Sequence, residues 1–574
     1  MKANVVFKTA ILTAFVFIAG CAEDWLDEKP PQFISTESLY TTLAGFETGL
    51  NGLYQLVRQE REGGESARDD KGGSNQLRYE LAATTTDNMT VNRVGSRFTL
   101  LATDWGALNS PENPELQDHF IWLYKVVNAA NTIINNAQSR DDVDWRGEGL
   151  TPAENRNRVI GEARAIRAWA YRHLTYMWGD VPLSLQESLG STIRTDWTRS
   201  PVAEVRSHIV NDLLFAEKNI PIEPSVPGKI TRGAVQTYLA EMFLVLDKPD
   251  SALIFADRAI NTPEYALITE RFGVNSTKDG NPFADMFLDG NANRVEDKNT
   301  EALWVWQWGY FDQGGGRNIM RRWTGSEYHE HRITGDDSKS VKVLTITEER
   351  GGRSQSRFSM TNFALGLYEP QDDRFSHYIM RKFFILKDEV GNAPYAADNL
   401  PSGWAYGDTL WLDWKDRDIE YAGADFLPYR DWPYSIKFDG CNPDNVRSTE
   451  SNKDQPYLRI AETYLLKAEA ELELGNAGAA ANTINVLRRR ANASEITAGD
   501  VDIDFILDER SRELILEEHR RYTLLRTGKW LERTRLHNKN GGQNISDRDV
   551  LFPIPQVVID ANLTQPMPQN PGWN

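Results

Sequence analysis

Cysteine is nearly absent from this chain. Its 574 residues hold Cys21 and Cys441 and no others. A disulfide framework is excluded, and the folded state must rest on a buried core, which a chain this long builds easily. Beyond the first twenty residues no run of eighteen consecutive apolar residues occurs, so no later segment is expected to cross a bilayer as a helix. Positive charge is in deficit, 64 Lys+Arg against 83 Asp+Glu for a formal charge of −19. A field of that sign repels phosphate backbones and anionic lipid, which counts against nucleic acid as a partner and favours neutral ligands.

Enzyme motifs are missing too. His329-Glu330-His331 lacks the three-residue gap that sets two imidazoles on one helix face. Eight histidines without cysteine partners give no evident zinc site. Gly314-Gly315-Gly316-Arg317 has no following Lys-Ser/Thr and is no phosphate loop. Asp289-Gly290-Asn291-Ala292-Asn293 opens like a calcium loop, but Arg294 takes the place of the required glycine and Thr300 that of the bidentate glutamate. No cofactor is expected, and a structural calcium ion has no support beyond that opening. Acids are plentiful, yet a glycosidase pair is defined by its carboxyl separation, which a sequence does not show.

What is present begins at the N-terminus. Lys2 and Lys8 supply positive charge, Thr9 to Ile18 is a short apolar run, and Ala19-Gly20 provides small residues, so residues 1–20 read as a secretory signal. Ile18-Ala19-Gly20-Cys21 resembles a bacterial lipobox, which makes Cys21 the expected lipidation site and leaves Cys441 without an intramolecular partner. Removing the signal takes away Lys2 and Lys8 and leaves 62 Lys+Arg against 83 Asp+Glu, or −21. Residues 21–35 form a leader in which Glu23, Asp24, Asp27 and Glu28 precede Pro30-Pro31, a solvated linker stiffened by its prolines. Acids directly behind a lipidated cysteine also resemble the signal that sends Bacteroidetes lipoproteins to the outer face of the outer membrane.

The body reads as helices separated by long irregular stretches. Thr36 to Arg58 is expected to be helical through Leu39, Leu43, Phe46, Leu50, Leu53 and Val57, as are His119 to Gln138 and Asn157 to Met177. The last stops at Trp178-Gly179-Asp180-Val181-Pro182, a glycine just past the helix and then a proline. Two segments look like one helical hairpin: Thr231 to Leu246 with Ser251 to Ile260, and Tyr457 to Leu474 with Ala477 to Arg490. Their aromatic and alanine positions follow the tetratricopeptide pattern, with the copies far apart in sequence. Residues 262–455 differ, being rich in Gly, Asp, Asn, Trp and Tyr, with short strand-like runs at Ala302 to Trp308, Val341 to Thr347 and Tyr378 to Leu386. So much loop inside a folded chain marks a binding region.

Four groups of residues, taken in order, resemble the SusD/RagB family. They are Gly161-Glu162-Ala163-Arg164-Ala165-Ile166-Arg167-Ala168-Trp169-Ala170-Tyr171 with Trp178 to Leu183, then Leu458 to Ala470, then Glu509 to Leu514 with Glu518 to Tyr522 and Arg526 to Lys529, and last Phe552-Pro553-Ile554-Pro555 with Gln569 to Gly572. The resemblance covers nearly all of the mature chain. It implies a mainly helical fold, a tetratricopeptide-like superhelix with a long insertion, rich in loops and short strands, that carries the ligand site. The divisions expected are 36–230 for the N-terminal helical region, 231–261 for a hairpin, 262–455 for the insertion and 456–574 for the C-terminal region. It also implies a non-catalytic lipoprotein of the outer membrane, facing the exterior. Such a protein captures an oligosaccharide, or in one branch a peptide, for a SusC-like TonB-dependent transporter, over which it acts as a lid. A surface glycoside hydrolase is the reading from another class.

Sugar rings stack on aromatics while amides, carboxylates and Arg bind hydroxyls. Trp304, Trp306 and Trp308 share one face of a strand, but Leu303 and Val305 make the other face apolar too, which favours core packing. Loop residues are better candidates: Asp87 and Asn88 after a helical stretch, Trp105 and Asn109 in a polar segment, Tyr310 behind the tryptophan strand, and Trp323 after the glycines. The family's pocket forms between an early segment and loops of the middle insertion, where these residues fall. Arg381 and Tyr406 are further candidates. Each also has a structural reading as a core aromatic or a turn residue.

Overall fold

The computed structural model describes residues 36–62, 78–92, 109–309, 314–387, 400–412, 414–415, 417, 427–442 and 444–573. Cys21, Trp105 and Tyr310 lie outside them.

Helix α1 (Leu43–Glu62) turns Phe46, Leu50, Leu53 and Val57 into the core. The helix expected from Thr36 is broken instead: Thr36–Leu39 makes one short turn and the chain restarts. The break is local. Thr42 bridges to Asp144, Leu43 N–H donates to Asp144 O at 2.9 Å, and Thr42 Oγ1 accepts from Gly45 N–H. A Cβ at position 45 would stand 1.8 Å from Leu39 O, so the close turn requires glycine. Helix α2 (Pro114–Ser139) starts on Asn113, whose side chain accepts from two backbone N–H groups. Helix α3 (Pro152–Trp178) starts on a capping box of Thr151 and Glu154, a cap whose loss costs about 1 kcal/mol. It ends at Gly179, φ 69°, in a conformation that favours glycine.

Alanines 163, 165, 168 and 170 of α3 are buried, and their small size lets α2 and α4 (Val202–Asn219) pack closely on it. Next come α5 (Arg232–Val245) and α6 (Pro249–Ile260), then, far along the chain, α7 (Ile460–Glu473) and α8 (Ala477–Arg490). Both expected hairpins are therefore present as helix pairs. They also meet: α5 and α6 pack on α7, and the Thr237 and Thr463 hydroxyls lie 2.6 Å apart. Helices α9 (Ile503–Leu514), α10 (Arg520–Arg526) and α11 (Trp530–His537) complete the C-terminal part.

The intervening stretch is held by two-stranded antiparallel ribbons. β1 (Met89–Val91) pairs with β5 (Phe358–Met360), and β3 (Arg332–Thr334) with β4 (Ser340–Lys342). β6 (Met380–Arg381) pairs with β9 (Tyr434–Ser435), and β7 (Phe383–Ile385) with β8 (Thr409–Trp411). The strand-like runs of the sequence are thus shortened, and Tyr378 to Leu386 is split in two. β2 (Ala302–Trp306) pairs with β10 (Gln455–Arg459), so the helix expected from Tyr457 begins only at Ile460. The reason is aromatic: the Tyr457 ring stacks on Trp306 at 3.8 Å, which draws residues 455–459 out as a strand. Trp304, Trp306 and Trp308 are buried, as the apolar opposite face suggested.

A buried ion network ties the insertion to the C-terminal helices. Arg374 binds Asp372 at 2.7 Å, Glu509 at 2.7 Å and Glu513 at 3.2 Å, and Arg459 binds Glu301 at 2.6 Å, Glu513 at 3.1 Å and Glu517 at 2.6 Å. Arg490 joins Glu301 and Glu513, Arg488 joins Glu369 and Glu509, Arg512 joins Glu509, and Lys437 joins Glu517. Each cation meets a carboxylate, which is the condition for keeping such charge out of water. No helix among the described residues is long and apolar enough to cross a membrane.

Candidate ligand-binding site

The periodicity that sends Leu50, Leu53 and Val57 of α1 inward sends Asn51, Tyr54, Gln55 and Arg58 outward. With the loop Val226–Lys229, Trp306–Gln307 and Gly314 they line an open cavity of about 300 Å³. Its floor is fixed. Tyr54 OH donates to Glu162 Oε2 at 2.9 Å and accepts from Ile230 N–H at 3.1 Å, and burial lifts the phenol well above its usual range. Lys229 Nζ binds Glu47 at 2.5 Å. Arg58 donates to Gly314 O at 2.6 Å, to Gly315 O at 3.1 Å and to Gln307 O, stitching α1 to the opposite loop. Asn51 and Gln55 are exposed amides on the rim. Amides and a guanidinium beside Tyr54, Val226 and Pro227 suit a ligand that offers both hydroxyls and apolar C–H faces.

Glu62, the last residue of α1, borders this site. Burial pushes its carboxyl up to about 7 although Arg58, Arg317 and Arg78 pull it down, and its buried Oε1 has no hydrogen-bond partner. Gly316 passes beside it at φ 67°, where a Cβ would come 2.1 Å from Oε1. The glycine triplet thus has a steric purpose, a tight turn against a buried acid.

Several sequence candidates are not at this site. Asp87 is fully buried and its carboxylate, held at about 2, is gripped by Arg520 at 2.7 Å and Arg533 at 2.7 Å. The neighbouring Asn88 is buried, with its amide engaged by Thr86 and Ser511. Trp323 has no exposed surface; its ring lies in a core cluster with Phe358 and Met360 and offers no face to a sugar. Asn109 is also buried. These four expectations are corrected: Asp87 and Asn88 spend their polarity on buried partners, Trp323 is packed in the core, and Asn109 is buried away from the cavity. Arg381, 3.8 Å from Asp439, and Tyr406, packed beside the Phe384 cluster, do not line the cavity. Trp105 and Tyr310 fall outside the described residues, as does the lipidation site Cys21.

Sequence reasoning missed Asn51, Gln55 and Arg58, whose signal was a polar stripe on an otherwise apolar helix. It also missed Trp411, 63% exposed on β8, with its ring 5.0 Å from Phe383 across the ribbon. There the signal was alternation, Leu410 and Leu412 inward and Thr409 and Trp411 outward.

One group of metal-compatible donors occurs among the described residues: Glu60, His173 and His519, all buried. His519 Nε2 lies 2.6 Å from Glu60 Oε1, and His173 Nδ1 2.9 Å from Tyr522 OH. Burial, then Arg172 and Arg61, hold His519 well below the usual imidazole range. Two imidazoles and a carboxylate suit zinc, but a dication there would face those two guanidiniums, so the arrangement reads as a hydrogen-bonded core.

Comparison with known proteins fits this fold. A family model described as the SusD family matches residues 364–573, and one described as starch-binding associating with outer membrane matches residues 24–244. A SusD-like protein of Formosa agariphila is 23% identical over 95% of each chain. The starch-binding protein SusD of Bacteroides thetaiotaomicron is 35% identical over 22% of this chain and 23% of its own. Among solved structures, a laminarin-binding SusD-like protein superposes with a TM-score of 0.63 at 19% identity, covering 93% of this chain and all of that one. A SusD homologue from Bacteroides thetaiotaomicron reaches 0.68 at 19% identity, covering 94% and 98%. The chain belongs to the SusD/RagB family and has its helix-rich fold.

Proposed function

We propose that this chain is a non-catalytic surface lipoprotein, anchored through Cys21, that binds a glycan at the α1 cavity and passes it to a SusC-like TonB-dependent transporter. The observation that carries the reading is the cavity itself: exposed Asn51 and Gln55 with Arg58 and Tyr54 on a floor held rigid by Glu162 and Lys229. Preorganised amides lose little entropy on meeting hydroxyls. The starch-binding and laminarin-binding relatives support the ligand class. Titration calorimetry of the protein lacking residues 1–21 against a panel of polysaccharides tests it. A Gln55→Ala variant should bind about tenfold more weakly with an unchanged melting temperature, the loss expected when a polar contact to the ligand is removed. Absence of glycan binding by the folded wild type overturns the reading, with peptide binding then pointing to the family's peptide branch. Release of shorter oligosaccharides establishes a hydrolase instead.

A further inference from the structure

The ribbon of β7 and β8 puts its two faces to different uses. Its antiparallel register sets Phe383 opposite Trp411, Phe384 opposite Leu410 and Ile385 opposite Thr409. Side chains alternate along each strand, so Phe384 and Leu410 share one face with the flanking Leu386 and Leu412, and all four are buried in a small core of their own. Phe383, Ile385, Thr409 and Trp411 share the other face. It carries no charge, and the fold leaves it in water: Trp411 is 63% exposed and Ile385 38%.

The aromatic surface continues past the ribbon. The Trp411 and Phe383 ring centres are 5.0 Å apart with planes tilted by 57°, and Phe383 lies 5.7 Å from the ring of His377, tilted by 39°. His377 is exposed on the turn that precedes β6. Three rings therefore run side by side as a bent shelf. Polar groups stand at its edge. The Trp411 indole N–H and the Thr409 hydroxyl have no hydrogen-bond partner among the described residues. Burial, then Lys382 and Arg381, hold His377 below the usual imidazole value, although Asp279 pulls the other way. At neutral pH its ring is thus uncharged, with one nitrogen to donate and one to accept.

Size and charge select what covers this shelf. Trp411 and Ile385 leave on the order of 250 Å² of side-chain surface in water, against ~800 Å² per partner in a stable protein interface. A second copy of so acidic a chain would also bring like charge to the contact. A sugar ring fits better, since it is uncharged and has a flat C–H face with hydroxyls around its edge.

We propose that Trp411, Phe383 and His377 form a second glycan-binding site, a shelf on which sugar rings stack, apart from the α1 cavity. None of the three lines that cavity. The proposal rests on the glycan-binding reading above. A polysaccharide long enough to reach both sites gains affinity from the second contact, because that contact is made at high effective concentration.

The test uses the protein lacking residues 1–21, labelled with 5-fluorotryptophan and titrated with laminarin, amylopectin and xylan under fluorine NMR. The resonance missing from a Trp411→Phe variant belongs to Trp411. It should shift with whichever polysaccharide binds, and should still shift in Gln55→Ala, which alters only the cavity. By calorimetry Trp411→Ala should weaken that polysaccharide about fivefold, with the melting temperature unchanged because the ring holds no core. An unmoved Trp411 resonance together with full affinity in Trp411→Ala overturns the shelf and leaves the glycan reading standing. A dimer in sedimentation that Trp411→Ala disperses gives the face to a second copy and overturns the shelf as well. Failure of all three polysaccharides and of the wider panel overturns both readings.

Discussion

Two groups of arginines in this protein are treated in opposite ways. Arg374, Arg459 and Arg490 have no more than 1% of their side-chain surface exposed and each is bound by carboxylates from separate segments. Arg353 and Arg447 are exposed at the surface. The first group joins insertion to C-terminal helices, because a buried charge is tolerated only with its partners in place. The second has water as its counter-medium. Residue type is therefore no guide to role; the count of nearby carboxylates and the exposure are.

The sharpest way to break the comparison is Glu513→Gln, which takes a carboxylate from Arg374, Arg459 and Arg490 at once. Leaving three buried cations each one carboxylate short should cost about 3–5 kcal/mol of stability by chemical denaturation. Asp87→Asn should follow at roughly 2–4 kcal/mol, because Arg520 keeps only Glu518 and Arg533 only the half-exposed Asp504 and Asp508. Glycan affinity of this variant should be unchanged in calorimetry, and a tenfold loss would return Asp87 to the binding site.

Acid should test the buried side next. Burial holds His173 and His519 well below the usual imidazole range and His119 at about 3. A histidine depressed in the fold contributes stability that is fully present above its unfolded value of about 6.5 and is lost as pH falls toward the folded value. Unfolding free energy should thus fall below pH ~6.5 by up to about 1.4 kcal/mol per pH unit for each histidine. Constant stability from pH 7 to 5 would contradict this.

The smallest effect belongs to Glu62, at the end of α1. The Glu62 carboxyl, raised to about 7, binds its proton more tightly in the fold than in the unfolded chain. Its negative charge disappears as pH falls through 7, so this carboxyl adds to stability on acidification, opposite in sign to the histidines, by at most about 1.4 kcal/mol per pH unit. Glu62→Gln should remove that contribution from unfolding measured between pH 8 and 6.

Much of the helical frame was legible in the residues. Trp178-Gly179-Asp180-Val181-Pro182 marked the end of α3, alanine spacing marked both hairpins, and the doubly apolar strand marked Trp304 and Trp306 as core. The start of α7 was not legible, because the pull of Trp306 on Tyr457 comes from a strand far away in the chain. Asp87 and Trp323 looked like ligand groups for the same reason: the arginines and apolar side chains that enclose them are remote in sequence. The polar stripe of α1 was visible, but nothing local said that Gln307 and Gly314 would face it.

By itself the sequence determined the helical periodicity, the caps, the glycine stops and a net acidic charge, all properties of neighbouring residues or of sums. Tertiary structure decided which arginines are neutralised, which aromatics are exposed and where amides face a cavity. Burial and ion pairing act over a few ångströms between groups hundreds of residues apart in the chain, so no local pattern announces them.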